Sequence, residues 1–83
     1  MKININKYRG NYHWIRSIFE RERAKKGYDF LKTATELSAV SHVPLIAILC
    51  FYGEYYGFNK DIIDRIDQLS KFYGYSDIEG YEQ

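Results

Sequence analysis

Eighty-three residues, 46% of them hydrophobic and 18% aromatic, make one small domain with apolar material for a single core, which excludes a disordered chain. The single cysteine, Cys50, cannot form an internal disulfide, which excludes a disulfide-stapled secreted scaffold. The net charge of +1 hides an asymmetry: residues 1–35 carry nine Lys/Arg against three acids, and residues 36–83 carry three against eight, giving +6 and −5.

The basic half suits nucleic acid or an acidic partner surface; the plainer alternative is a dipolar molecule with two differently solvated faces. The N-terminal "MKININKYRG" has no apolar run of the signal-peptide kind. Residues 1–10 read as a flexible arm on a single helix-turn-helix-like domain spanning 1–83, and the protein reads as cytoplasmic. Its aromatics interleaved with cations, Tyr8, Arg9, Tyr12 and Arg16, suit phosphates or stacked bases, the alternative being core aromatics beside a loose arm.

Helical spacing predicts a first helix over about Asn11 to Lys26, with Tyr12, Ile15, Ile18 and Phe19 inward and Gly27 as its stop. "TATE" then forms a capping box in which Thr33 caps and Glu36 reaches back. A short second helix carries Ala34, Leu37 and Val40 inward and ends near Ser41 and His42. Pro44 suits the first turn of a third helix, which runs through Tyr52 and stops around Gly53. Asn59 caps a fourth helix with Ile62, Ile63, Ile66, Leu69 and Tyr73 inward and Gly74 as its break. "SDIE" at 76–79 is a second capping box that opens a last short turn. The expected fold is all-α, four to five short helices in a helix-turn-helix bundle.

"LSAVSHVPLIAILCFYG", residues 37–53, is uncharged for 17 residues. A membrane span needs roughly 20 mostly apolar residues, and this run includes two Ser, a His and a Pro, so it reads as a buried helix and no membrane association is expected.

"TATELSAVSHV" and "IDQLSKFYGYSDIE" carry a resemblance. Thr33 holds a cap position, Glu36-Leu37 an acidic-leucine pair, Ser38 a small packing position, and Val43 the apolar position after the turn. Leu69, Ser70, Gly74, Tyr75, Ser76 and Glu79 follow the pattern of a closing helix. Over roughly residues 12 to 80 the chain resembles the small phage-repressor (Cro/Xre-like) helix-turn-helix family. The resemblance implies a lambda-repressor-like bundle that binds DNA and serves a phage or another mobile element as a transcription regulator. Relative to the family pattern, about four residues, Asp29 to Lys32, are extra between helices one and two, roughly three more lie between helices three and four, and His42 stands where the turn usually has Gly.

The third helix departs most. A reading helix offers hydrogen-bonding side chains to base edges, yet the outward positions here are Pro44, Leu45, Ile46, Leu49, Cys50 and Gly53. Two functions therefore stay open. The first is a small DNA-binding regulator that holds the phosphate backbone through Arg9, Arg16, Lys32, Thr33, Thr35, Ser41 and His42. The second is a non-enzymatic protein-binding inhibitor on the same scaffold, an antirepressor or anti-defence protein of anti-CRISPR type, docking through Leu45, Ile46, Leu49, Tyr52, Tyr55 and Tyr56. The third helix is also a candidate homodimer contact, the plainer alternative being ordinary core. On the docking reading, Leu49→Glu is expected to abolish binding and spare helicity.

No enzyme chemistry is expected. There is no phosphate loop, H-E-x-x-H or nucleophile elbow. His13 and His42 have no Cys or carboxylate at metal-ligand spacing, so neither a metal nor a cofactor is expected. Asp61, Asp64 and Asp67 read as a solvated helix face, and Cys50 as a small buried hydrophobe.

Overall fold

The computed structural model describes residues 1–80. Four α-helices carry the fold: α1 (Tyr12–Arg23), α2 (Phe30–Ser41), α3 (Leu45–Tyr56) and α4 (Lys60–Tyr73). A strand β1 (Lys2–Asn4) and a 3-10 helix (Ile5–Asn11) precede them, and a strand β2 (Asp77–Glu79) follows. The architecture is the expected small all-α bundle, closed by a parallel strand pair in which Lys2 faces Asp77, Ile3 faces Ile78 and Asn4 faces Glu79.

Both chain ends correct the sequence reading. Residues 1–10 are not a flexible arm: Ile3 and Ile5 lie in the core at 7% and 0% exposure. Asn4 caps the 3-10 helix by accepting from the Asn6 N–H. "SDIE" does not open a helix but leads into β2, where the Ser76 N–H donates to the Met1 carbonyl at 2.6 Å. Isoleucine at alternate positions of "KINI" is strand spacing, and pairing with Ile78 gives it a partner.

α2 starts earlier than the sequence suggests. Asp29, not Thr33, is its N-cap, and the Asp29 carboxylate accepts from the Lys32 N–H at 3.2 Å. Thr33 and Thr35 instead donate their hydroxyls to the carbonyls four residues back, Asp29 and Leu31. The earlier start makes Asp29 to Lys32 the cap and first turn of α2 rather than an insertion, and lays Phe30 against the core.

His42 ends α2 in the left-handed region at φ 60°. The turn is pinned from both sides: the Ser38 hydroxyl donates to the Val43 carbonyl at 2.6 Å, and the Ser41 hydroxyl accepts from the Val43 N–H. Three residues, His42 to Pro44, thus separate α2 from α3.

α3 runs past Gly53 to Tyr56, with Pro44 as its cap. It packs against α1, α2, α4 and the 3-10 helix, and Ile46 through Phe51 are all buried. Ile46, Leu49, Cys50 and Gly53, expected to face outward, are therefore covered within the one chain. Each large aliphatic side chain so buried contributes about 1.5–3 kcal/mol. Leu49, at 0% exposure, is core, so Leu49→Glu would unfold the chain rather than silence a contact.

α4 keeps its expected caps: Asn59 accepts from the Ile62 N–H at 2.9 Å, and Gly74 turns left-handed at φ 75°. Its inward stripe is narrower than the spacing suggested. Ile62 is buried, Ile66 and Leu69 are half-buried, and Ile63 and Tyr73 stand exposed. On α2, Val40, expected inward, is exposed as well.

Candidate interaction surface along the first and third helices

The residues expected to grip DNA do not form one site. Arg9 is turned inward onto Glu54, with its two terminal nitrogens 2.8 and 2.7 Å from the two carboxylate oxygens. Its Nε donates to Asn6 Oδ1 at 2.7 Å, Nη2 also donates to the Gly80 carbonyl, and the guanidinium lies 5.1 Å from the Phe51 ring centre. The Glu54 side chain is only 8% exposed. Arg9 is thus a structural clamp joining the N-terminal segment, α3 and the C-terminal segment, which corrects its reading as a phosphate contact.

Thr33, Thr35 and Ser41 spend their hydroxyl protons on the backbone carbonyls of Asp29, Leu31 and Leu37, the last at 2.6 Å. Lys32 and His42 remain exposed, one at each end of α2. A twelve-residue helix holds them about 15 Å apart at 1.5 Å per residue.

Of the six residues expected to dock a protein, Ile46 and Leu49 are buried and Leu45 is half-buried, so the apolar patch is core and not surface. The tyrosines have a different fate. Tyr52 lies in an aromatic layer with Phe30 and Phe19, ring centres 4.4 and 4.8 Å away. Tyr56 stacks on Tyr52 at 4.6 Å, and Tyr55 meets Tyr56 edge-on at 4.5 Å. Tyr55 itself is 36% exposed.

Two arginines of α1 lie on this layer. Arg16 sits 3.9 Å above the Tyr55 ring and Arg23 sits 3.9 Å above the Tyr56 ring. Arg16 Nη2 donates to the Tyr55 hydroxyl at 2.8 Å, and that hydroxyl donates to Glu20 Oε1 at 2.7 Å. The bond to Glu20 holds the Tyr55 phenol above its ordinary pKa, with Arg16 opposing. The seam between α1 and α3 is therefore an ordered strip of Arg16, Glu20, Arg23, Tyr55 and Tyr56. The helix spacing explains it: Arg16, Glu20 and Arg23 share one side of α1, and Tyr55 and Tyr56 end α3 alongside. Arg23 and Glu20 were absent from the residues singled out by the sequence. The signal was the i, i+4, i+7 recurrence of charge beside a helix that ends in "EYY".

The charge asymmetry is partly consumed inside the molecule. Arg9–Glu54 and Lys2–Glu79, the latter at 3.5 Å, both join the basic half to the acidic half. Lys25, just past the end of α1, pairs with Glu22 of that helix. Lys7, Arg21, Lys26 and Lys32 stand exposed, and Glu82 of the acidic half lies outside the described residues.

Cys50 is buried, and burial, reinforced by the charge of Glu54, pushes its thiol up to about 12. Burial likewise raises the Tyr28 phenol. Among the described residues no group of three His, Cys, Asp or Glu side chains is placed to hold a metal ion, and no helix is long and apolar enough to cross a membrane. Compared with known protein families, curated proteins and solved structures, the chain matches none.

Proposed function

We propose that the chain is a small non-enzymatic protein-binding module whose contact face is the α1–α3 seam. One observation carries this reading: Tyr55, Tyr56, Arg16 and Arg23 are presented together, already stacked and hydrogen-bonded, on the rigid helices that form the core. Tyrosine and arginine dominate binding hot spots because each offers a large contact area with a polar handle. Side chains ordered before binding lose less entropy on docking, so more of the contact energy appears as affinity. An inhibitor of a cellular enzyme or of a repressor works by such a face alone, without chemistry of its own.

The test is a photo-crosslinking amino acid placed at Tyr55 and, separately, at exposed Lys71 in the last turn of α4, in the organism that encodes the chain. A discrete protein adduct is expected from position 55 and none from position 71. Equal adduct patterns from both positions, or adducts to nucleic acid, would overturn it.

A DNA-binding regulator remains the second reading, favoured by the α2–turn–α3 corner with its left-handed His42 and by exposed Lys26 and Lys32. Such a protein would hold phosphates from the start of α2, without base readout by α3, whose middle is sheathed on every side.

A further inference from the structure

Arg16 and Arg23 lie seven residues apart on α1, which places them about 10.5 Å apart along the helix at 1.5 Å per residue. Among the described residues neither lies within ion-pair distance of a carboxylate, for Lys2, Arg9, Lys25, Lys60 and Lys71 are the cations that pair. Glu20, the acid between them, has one oxygen taken by the Tyr55 hydroxyl. Each guanidinium carbon rests 3.9 Å above a tyrosine ring centre, Arg16 on Tyr55 and Arg23 on Tyr56. Tyr55 uses only Nη2 of Arg16, and a guanidinium has five N–H donors in a fork that matches a carboxylate. A shallow depression lined by His13, Arg16, Ser17 and Glu20 adjoins the first of the two.

From this arrangement we infer that the seam takes an acidic helical segment of its protein partner, with two carboxylates spaced two turns apart, one for Arg16 and one for Arg23. The inference rests on the protein-binding reading and names the partner's chemistry. A helix laid along α1 matches the spacing because its own positions i and i+7 are also about 10.5 Å apart. Glu20 argues against a nucleic acid here. Duplex DNA carries one negative charge per roughly 1.7 Å of axis, so a phosphate ridge along the seam would run over Glu20. Two separate carboxylates would straddle it.

The test uses a fluorescent, helix-stapled peptide with two Glu seven residues apart, and the same peptide with both replaced by Gln. Binding to the purified chain is read by anisotropy at low and moderate salt. The acidic peptide should bind, and binding should weaken with salt. Affinity should fall at least about tenfold, equal to about 1.4 kcal/mol, for the Gln peptide and for the Arg16→Gln/Arg23→Gln chain. A Lys60→Gln/Arg65→Gln chain should bind as the parent does, and circular dichroism should show all three chains equally helical. Three results would overturn the inference: no binding of the acidic peptide, affinity unchanged in the Arg16/Arg23 variant, or tighter binding of an oligothymidylate of equal charge. A protein adduct from position 55 combined with no peptide binding would sink the acidic partner alone. Failure of both would sink the protein-binding reading too.

Discussion

Glu54 is the one charge between His42 and Tyr56, and its environment explains why it is there. A carboxylate at 8% exposure on the central helix is stable only if its partner is close and well oriented, and Arg9 supplies a two-pronged grip at 2.7 and 2.8 Å. Breaking a fully buried pair costs about 3–5 kcal/mol. The Arg9 side chain is 31% exposed, so water will recover part of that. Glu54→Ala is therefore expected to lower stability by about 2–3 kcal/mol, measured by urea denaturation, and a loss below about 1 kcal/mol would mean that the clamp is dispensable. Cys50, in the same helix, has its thiol raised from 9.0 to about 12. Because the folded value lies above the unfolded one, the thiol's contribution to stability is complete below about pH 9 and is lost as pH rises towards the folded value. The native protein should leave Ellman's reagent unreacted at pH 8, and urea should release one thiol. Rapid labelling of the folded chain would contradict the burial. The sequence already marked Cys50 as a small hydrophobe and Glu54 as a lone charge. What it hid was the partner, because Arg9 lies 45 positions away and reads equally well as a surface cation.

Among the elements, α4 kept close to its sequence signals because its caps are local: Asn59 and Gly74 act within one turn of themselves. α1 instead ends at Arg23 with Ala24 as its C-cap, short of the expected Lys26 and Gly27. α2 and α3 departed from theirs because distant packing set their bounds. The Thr33–Glu36 capping box was a sound local signal, but Asp29 offers an equivalent cap that also brings Phe30 against Phe19 and Tyr52. Gly53 looked like a helix stop and instead lies inside α3, where it is buried. A Cβ built there would run into the Phe58 ring. The two effects of Gly53→Ala oppose each other. Alanine gains up to about 1 kcal/mol of helix propensity over glycine, whereas forcing Phe58 out of its seat costs about 1–3 kcal/mol. The second is expected to win, so the melting temperature should fall, and a rise would show that Phe58 has room to move.

For the whole molecule, the uncharged stretch of residues 37–53 in a highly charged chain has a topological answer. α3 is the axis of the bundle, with α1, α2, α4 and the 3-10 helix around it, so it needs apolar side chains on nearly every face. The sequence made that helix legible and left its surroundings undetermined, since part of the cover comes from the N-terminal segment, which local signals read as an arm. The charge asymmetry has a related answer: part of the basic half is turned onto the acidic half, and what stays on the surface is a scatter of lysines plus the Arg–Tyr seam. A molecule arranged this way should recognise a protein face rather than a phosphate ridge. The most direct check is to titrate the purified chain into a labelled mixed-sequence duplex at about 50 mM and about 200 mM salt, conditions across which phosphate contacts lose most of their affinity. No complex is expected at either salt at micromolar protein. A complex that forms at the lower salt and dissociates at the higher would contradict it and return the chain to the DNA-binding regulators.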